Sequence, residues 1–129
     1  MAVTHSVAAR DAATNAVTAL IGASGNLKFR LTGTVAAPGV AAATLPLSAT
    51  AFGASATGTA TAAAITSDTN AAGNATAVAT ATLETSVGVV VIHCAVAASA
   101  SDVNMTNGLT IAAGDTVTCS SLTYTALSA

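Results

Sequence analysis

The side chains best suited to chemistry in this chain are two histidines and two cysteines, and they do not form a cluster. His93 and Cys94 are adjacent, and adjacent residues of a strand point to opposite faces of the sheet. The two side chains cannot easily share one ion, because metal ligands must converge. His5 lies near the start of the chain and Cys119 near its end. The sequence therefore predicts no metal site and no bound cofactor.

Patterns for catalysis by a nucleophile or by paired carboxylates are also missing. A Ser-His-Asp triad can be assembled only by free choice among many serines and four aspartates, which is no evidence for one. The glycine-rich piece at residues 22–25 reads Gly-Ala-Ser-Gly, which differs from the Gly-x-Ser-x-Gly elbow of hydrolases. Glu84 is the only glutamate, so the two catalytic carboxylates of a glycosidase would have to include aspartates that lie far apart in the sequence. We therefore expect that the protein is not an enzyme.

The composition favours a permanent assembly. Hydrophobic residues make up 53% of the 129 residues, whereas charged residues make up 6% and aromatic residues 2%. Ordinary domains are about 25% charged, and disordered chains combine low hydrophobicity with high charge. A surface of alanine, threonine, serine and glycine suits lasting contact with another protein. The alternative is a monomer with a threonine-coated surface.

The charge balance and the hydropathy pattern exclude two classes of partner. The net charge is −2, and Arg10, Lys28 and Arg30 are the only basic residues, too few for non-specific binding to nucleic acid. The longest apolar run, residues 87–98, is interrupted by His93 and is shorter than the ~20 residues that cross a bilayer. The sequence thus predicts no nucleic-acid partner and no membrane. Residues 1–6 lack the charged start and apolar block of a signal peptide, so we expect synthesis in the cytoplasm.

The length fits one domain preceded by a short N-terminal segment. Residues 1–6 form the expected arm, Ser6 is a suitable helix cap, and residues 7–21 carry apolar side chains at helical spacing. Gly22 and Gly25 end the predicted helix. We therefore divide the chain into an arm and short helix, residues 1–24, and a β domain, residues 25–129.

The clearest predicted strand covers residues 26–32, where apolar and basic side chains alternate. Leu27, Phe29 and Leu31 share one face. Lys28 and Arg30 lie on the other face. The favoured interpretation of this basic face is a solvated outer surface, and the alternative is a contact strip for an acidic partner.

Further alternating runs predict more strands. They cover residues 43–48, 60–66, 75–84 and 87–97, with a loop at residues 67–74. Pro46 places its strand at a sheet edge, because proline cannot donate to the ladder. The run at 87–97 is apolar on both faces, which predicts a central strand with His93 partly buried and hydrogen-bonded.

The stretch 102–125 predicts a closing hairpin around a turn at residues 112–115. The alternation changes phase at residues 120–121, which indicates a β-bulge. Cytoplasmic synthesis favours buried, reduced cysteines at Cys94 and Cys119, and a disulfide between them is the less favoured alternative. Roughly seven to eight short strands are typical of sandwiches and jelly rolls. The predicted fold is mainly β: an antiparallel β-sandwich, jelly-roll-like, with one short N-terminal helix.

Several pieces occur in an order that resembles a known group of proteins. They are residues 25–30 (Gly-Asn-Leu-Lys-Phe-Arg), 43–48 with 51–53, 64–68, 102–105, 111–117 and 120–125. This order resembles the small β-rich virion proteins of tailed bacteriophages and prophages, in particular capsid cement or decoration proteins. The resemblance covers most of the chain after Gly25.

The resemblance implies a jelly-roll-like protein on the outer surface of the capsid in the virion, made in the cytoplasm of the bacterial host. Its partners would be an HK97-type major capsid protein and copies of itself. Expected contact residues are Val3, His5, Lys28 and Arg30, and no catalytic residue is implied. The alternatives are a phage tail or head-fibre component and a pilin-like surface subunit, with an ice-binding protein as a remote third.

Overall fold

The chain folds into a mainly β structure with one short helix at its N-terminal end. A computed structural model describes residues 2–129; Met1, the first residue of the predicted arm, lies outside the described residues. Within residues 2–129 the elements are α1 (Val7–Ala19), β1 (Asn26–Arg30), β2 (Ala41–Pro46), β3 (Thr59–Thr61), β4 (Thr80–Glu84), β5 (Val90–Ala97), β6 (Val103–Asn104) and β7 (Thr123–Thr125). The predicted fold class is confirmed at this level.

The described residues form a five-stranded sheet of order β2-β1-β4-β5-β6 and a two-stranded sheet of β3 and β7. Every strand pair is antiparallel except β5 and β6, where Val96 pairs with Val103 in parallel. The prediction of a purely antiparallel sheet is therefore wrong. The chain loops back through residues 98–102, so that β6 begins beside the end of β5 and runs in the same direction. The Asp102 carboxylate fixes this loop by accepting the N–H of Ala95 at 3.0 Å.

Helix α1 begins as predicted. Ser6 is the N-cap, and its hydroxyl accepts the N–H of Ala9 at 3.1 Å. The helix ends at Ala19, two residues before the predicted end, because the N–H groups of Leu20 and Ile21 bond three residues back in a tighter turn. Gly22 follows with a φ of 69°.

The buried side of α1 agrees only in part with the predicted apolar stripe of Ala13, Val17, Leu20 and Ile21. Ile21 is buried, but Leu20 is exposed and Thr14 and Thr18 are buried. The Thr14 hydroxyl donates to the carbonyl of Gly58 at 2.7 Å and accepts the N–H of Ala126 at 3.1 Å. A threonine with both hydrogen-bonding roles satisfied can be buried at little cost, so backbone partners distant in sequence override the apolar pattern.

The hydrophobic core lies against one face of the five-stranded sheet. The fully buried large side chains there include Leu27, Leu45 and Val78, and many other core positions are alanines. Phe29 and Leu83 belong to the same cluster. The prediction that Leu27 and Phe29 face inward is confirmed, and Leu31 is partly buried against the same core.

The predicted closing hairpin is wrong, although its turn exists. The turn forms at residues 113–114, and Asp115 accepts the N–H of Ala112 at 2.9 Å. The runs on either side of it bond to residues 68–78 instead of to each other. Asn74 N–H donates to Ile111 O at 2.8 Å, and Val117 forms a bridge with Asp68. No strand or bulge forms at residues 120–121.

The remaining strands are shifted or shorter than the alternation predicts. Strand β2 ends at Pro46 and pairs with one other strand, β1, so its predicted edge position is confirmed. Strand β4 begins at Thr80 instead of Ala75, and β5 begins at Val90. Strand β5 lies between β4 and β6, but β6 pairs with its last two residues alone, so β5 is central over only a small part of its length.

Candidate functional site

A polar cluster lies on the face of the five-stranded sheet opposite the core. Cross-strand pairing places Lys28 beside Thr82, and Thr82 beside His93. Glu84 and Arg30 lie on the same face, because side chains two residues apart along a strand point the same way. The sequence separates β1 and β4 by about fifty residues, and the register brings their charged side chains together.

Glu84 is the centre of this cluster. Its side chain is fully buried, and its Oε2 atom accepts a bond from Arg30 Nη2 at 2.5 Å and a bond from the Thr82 hydroxyl. Lys28 Nζ lies 3.3 Å from Oε1, close enough for an ion pair but without hydrogen-bond geometry. One carboxylate therefore pairs with two of the three basic side chains of the protein.

Arg30 is enclosed by the rest of the cluster. It is 8% exposed, and its Nε donates to the Thr82 hydroxyl at 3.0 Å while its Nη1 donates to the carbonyl of Gly39 at 2.5 Å. The bond to Gly39 holds the loop of residues 31–40 against the guanidinium. The interpretation of the basic face as a solvated outer surface is wrong for Arg30, because this loop and Glu84 cover it.

The electrostatics keep Glu84 ionised at neutral pH. Burial by itself raises the pKa of the Glu84 carboxyl, but hydrogen bonds from Thr82 and Arg30, with the positive charges of Arg30 and Lys28, outweigh burial and lower that pKa below its ordinary value of 4.5. A buried, ionised carboxylate bonded to Arg30 and Thr82 holds its neighbours in place and is poorly placed to act as a general acid or base. The cluster therefore has a structural role.

His93, like the Oε1 atom of Glu84, has incomplete hydrogen bonding in this cluster. Its side chain is partly buried, as predicted, but its Nε2 atom is enclosed and has no hydrogen-bond partner among the described residues. Cys94 points to the other face of the sheet, where its Sγ donates to the carbonyl of Ala81 at 3.5 Å. His93 and Cys94 therefore lie on opposite faces of the sheet, as the alternation of side chains along a strand predicts.

Both cysteines are free thiols. Burial, together with the negative charge of Asp102, raises the pKa of the Cys94 thiol to about 11. Burial also raises the pKa of the Cys119 thiol. Because the thiolate is the reactive form, neither thiol is activated as a nucleophile.

The four predicted contact residues lie in two different places. Val3 is 76% exposed in the arm, and the Nδ1 atom of His5 lies 2.5 Å from the backbone oxygen of Ala129. Lys28 and Arg30 belong to the polar cluster, with 25% of the Lys28 side chain exposed. The structure thus brings Lys28 and Arg30 together around Glu84. Contact of any of the four with a partner stays a prediction.

The sequence analysis did not identify Glu84 as the centre of the cluster. A signal was present, since Glu84 is the only glutamate and shares the threonine face of an alternating run. A lone acid on one alternating strand and two bases on another favour pairing of those strands. The alternation does not reveal which strands are neighbours.

A groove of about 440 Å³ lies on the core side of the sheet. Its floor includes Leu27 and Phe29, and its walls come from residues 102–111 and 115–123. Asp102 and Asp115 are the charged residues that line it, and each already accepts a backbone N–H.

Two further features are absent from the described part of the chain. Residues 2–129 contain no group of three or more His, Cys, Asp or Glu side chains close enough to hold a metal ion. Over the same range, α1 is too short to cross a bilayer, and no other helix forms a candidate span.

No family model, no curated protein and no solved structure matches this chain.

Proposed function

We propose that this protein is a capsid decoration, or cement, protein of a tailed bacteriophage. It would bind the outer surface of the mature head and stabilise contacts between capsomers of an HK97-type major capsid protein. The order of short sequence pieces described above suggests the class of protein. The observation that supports this proposal best is that the few charged side chains of the protein make hydrogen bonds or ion pairs within the chain.

Every charged side chain of this protein makes a bond within the chain. Lys28, Arg30 and Glu84 form the polar cluster. Arg10 donates to the carbonyl of Thr57 at 3.4 Å. Each of the four aspartates accepts one or more backbone N–H groups: Asp11 from Gly58, Asp68 from Thr44 and Asn70, Asp102 from Ala95, and Asp115 from Ala112.

A surface with so few charged side chains is unusual for a diffusing monomer. Such proteins normally carry charges of both signs, which keep them soluble and apart. Exposed apolar side chains add to the contrast; Val3, Val35, Val40, Val87 and Val89 all lie in the arm, loops or turns. This surface suits a protein that spends its functional life bound to other proteins, as a decoration protein does.

The mechanism is linkage between binding and lattice stability. A protein that binds the expanded lattice and not its precursor stabilises the expanded form by mass action. Repetition over a symmetric shell multiplies weak contacts. We also propose the finer fold, in which the five-stranded sheet and the β3–β7 sheet face each other as a jelly-roll-like sandwich around their shared core.

The first experiment is mass spectrometry of purified particles from the source, with heads and tails separated. Stoichiometric amounts in the head fraction would support the decoration role. Presence with the tails alone would favour a tail or head-fibre component. Absence from particles would contradict the virion proposal and favour the pilin-like alternative.

The contact residues need a second experiment, because reversal of charge at Arg30 would disturb the buried cluster and not a contact alone. Val3→Asp changes an exposed arm residue and is expected to reduce binding to heads that lack the protein. Val35→Asp, an equally drastic change on the exposed loop 31–40, is the matched control. Equal binding by both variants and the unmodified protein would remove the arm from the proposed contact.

A further inference from the structure

The chain contains a single Asn-Gly pair, Asn107-Gly108, which lies in one wall of the groove. Both residues are exposed, at the turn that follows β6. The side-chain carbonyl carbon of an asparagine lies within reach of the backbone nitrogen of the next residue. Attack by that nitrogen closes a five-membered ring, and glycine obstructs the approach least because it has no Cβ.

The fold leaves both reacting groups of this pair free. Within residues 2–129, neither the Asn107 side chain nor the Gly108 N–H makes a hydrogen bond. The backbone bonds on either side stop at Met105, whose N–H donates to Ala97 O, and at Leu109, whose carbonyl accepts the N–H of Val78. The reactive pair therefore lies between two anchored positions and is itself unanchored.

The space around Gly108 is also open. Its φ is 104°, in a region that glycine adopts without the penalty that a Cβ brings. A Cβ built at this position would meet no atom of a non-adjacent residue within 4 Å. No neighbouring segment therefore stands in the way of ring closure on this side of the backbone.

The fold restrains the other five asparagines, each of which is followed by a residue with a Cβ. For two of them the nitrogen that would attack is already bonded. The Ala71 N–H, after Asn70, donates to Asp115 O at 3.0 Å, and the Met105 N–H, after Asn104, donates to Ala97 O at 2.9 Å. A nitrogen that donates to a fixed carbonyl is held away from the side chain behind it.

The remaining three are held by their side chains or by the sheet. The Oδ1 atoms of Asn15 and Asn74 accept the N–H groups of Ser55 and Thr76 at 2.8 and 2.9 Å. Asn26 lies in β1, which pairs with β2 on one side and with β4 on the other. Asn107 is thus the one asparagine of residues 2–129 that combines a following glycine with free reacting groups.

We propose that Asn107 is a site of spontaneous deamidation. The Gly108 backbone nitrogen bonds to Asn107 Cγ and gives up its proton, and the side-chain nitrogen leaves as ammonia. The succinimide ring that results is opened by water at one of its two carbonyl carbons, which yields aspartate or isoaspartate. One water is consumed and one ammonia is released, and the reaction needs no enzyme, oxidant or reductant.

The product changes the groove. Asp102 and Asp115 are the charged residues that line it, and deamidation adds a carboxylate at position 107. The chain, whose net charge is −2, gains one further negative charge. Isoaspartate also lengthens the backbone of the wall at residues 102–111 by one carbon. The groove therefore becomes more acidic, and one wall longer, as the protein ages.

This inference goes beyond the proposed function and does not depend on a capsid. Its tests use purified protein alone, so its failure is distinguishable from failure of the capsid proposal.

The first test is mass spectrometry of the folded protein and of its peptides during incubation at mildly alkaline pH. Replacement of NH2 by OH adds one mass unit. We expect Asn107 to gain it at least about tenfold faster than any other asparagine, a difference of about 1.4 kcal/mol in activation free energy. No gain at Asn107, or gain at the same rate elsewhere, would overturn the proposal.

A pair of variants assigns the new charge to its position. Isoelectric focusing of the unmodified chain should show a more acidic band that grows with time. Asn107→Gln should lack this band, because glutamine must close a larger ring and reacts more slowly. Asn70→Gln changes an equally exposed amide and should acquire the band at the unmodified rate. An acidic band that grows equally fast in Asn107→Gln would overturn the proposal.

Hydroxylamine separates the effect of the fold from that of the sequence, because it cuts the chain where a succinimide forms. We expect the folded protein to yield two fragments, residues 1–107 and 108–129, as the chain in urea does. Cleavage that occurs in urea alone would show that the fold protects Asn107 and would overturn the proposal.

Discussion

Arg30 and Glu84 form a buried ion pair across neighbouring strands, with Nη2 and Oε2 2.5 Å apart. The pair is completed by the Thr82 hydroxyl, and Lys28 lies on the more exposed side of the same carboxylate. Because the chain has only one glutamate, no other residue of that type can replace it. This contact and others in the fold can be tested by experiments on stability and on thiol reactivity.

The first concerns loss of the acid. Glu84→Gln leaves two cations facing each other on a buried surface, and breaking a buried pair typically lowers the free energy of unfolding by about 3–5 kcal/mol. Asp115→Asn is the matched control, because the amide oxygen can still accept the N–H of Ala112; we expect a change within about 0.5 kcal/mol. Urea unfolding at pH 7 measures both. A loss in Glu84→Gln as small as that of the control would contradict a central role for Glu84.

The second concerns pH. The folded state lowers the pKa of Glu84 below 4.5, so the unfolded chain binds more protons in acid. Stability from this group is complete above pH 4.5 and is lost as the pH falls through the lower folded value. The free energy of unfolding, followed from about pH 6 to pH 2, should decline less steeply in Glu84→Gln than in the unmodified chain. Parallel profiles would show that Glu84 does not contribute.

Asp11 adds to the same acid sensitivity by a different contact. A hydrogen bond from the Gly58 N–H, then one from the Ser55 hydroxyl, lowers the pKa of its carboxyl below 3.8. Its contribution should therefore be lost at more acidic pH than the onset for Glu84. The Asp11→Asn variant separates the two contributions in the same titration.

The third experiment removes one hydroxyl beneath the helix. Thr14→Val keeps the shape of the side chain but leaves the Gly58 carbonyl and the Ala126 N–H without their partner. Leaving buried groups unsatisfied costs about 1–3 kcal/mol. Thr61→Val, at an exposed strand position, is the control and should change the free energy of unfolding by less than about 0.5 kcal/mol. Equal effects would show that the hydroxyl does not hold α1 in place.

The fourth compares two glycines with nearly the same backbone conformation. Gly22 and Gly73 have φ values of 69° and 68°. A Cβ on Gly22 meets nothing within 4 Å, whereas one on Gly73 comes 2.3 Å from the backbone nitrogen of Ala113. Gly22→Ala therefore measures the conformational penalty alone, about 1–2 kcal/mol.

Gly73→Ala should lower the thermal midpoint clearly further than Gly22→Ala, because the backbone of the turn at 112–114 must move. Thermal unfolding followed by circular dichroism gives the comparison. Equal midpoints would show that residues 68–78 do not pack closely against that turn.

The fifth experiment measures thiol reactivity. The raised pKa of Cys94, about 11, keeps its thiol protonated near neutral pH, so a disulfide-exchange reagent should label it much more slowly in the folded chain than in urea. Both thiols should become reactive in urea, which would confirm that neither is oxidised. Cys94→Ala isolates the reaction of Cys119. Rapid labelling of folded Cys94, or a mass two hydrogens lower, would contradict the free buried thiol.

Several features followed from local patterns alone. Ser6 capped the helix because its hydroxyl reaches a backbone N–H in the next turn. Alternation identified β1 and its inward Leu27 and Phe29, and Pro46 marked an edge. These depend on neighbours within a few residues, which is the range over which the sequence pattern carries information.

The predictions that were wrong concern residues whose hydrogen-bond partners are backbone groups far away in the sequence. Thr14 was buried because Gly58 and Ala126 bond its hydroxyl, and residues 109–117 bonded to residues 68–78 instead of closing a hairpin. Asp102 started a parallel strand by binding Ala95. No period-two or helical pattern encodes such long-range hydrogen bonds.

The sequence by itself determined that the protein is mainly β, nearly free of charge, and without a recognisable catalytic motif, because composition and alternation are properties of residue types. Only the tertiary structure decided that Lys28 and Arg30 meet Glu84, and that β6 pairs in parallel with the end of β5. The reason is that strand neighbours and register are set by packing and hydrogen bonding over the whole chain. Identical alternating runs can pair in many orders until the folded core selects one.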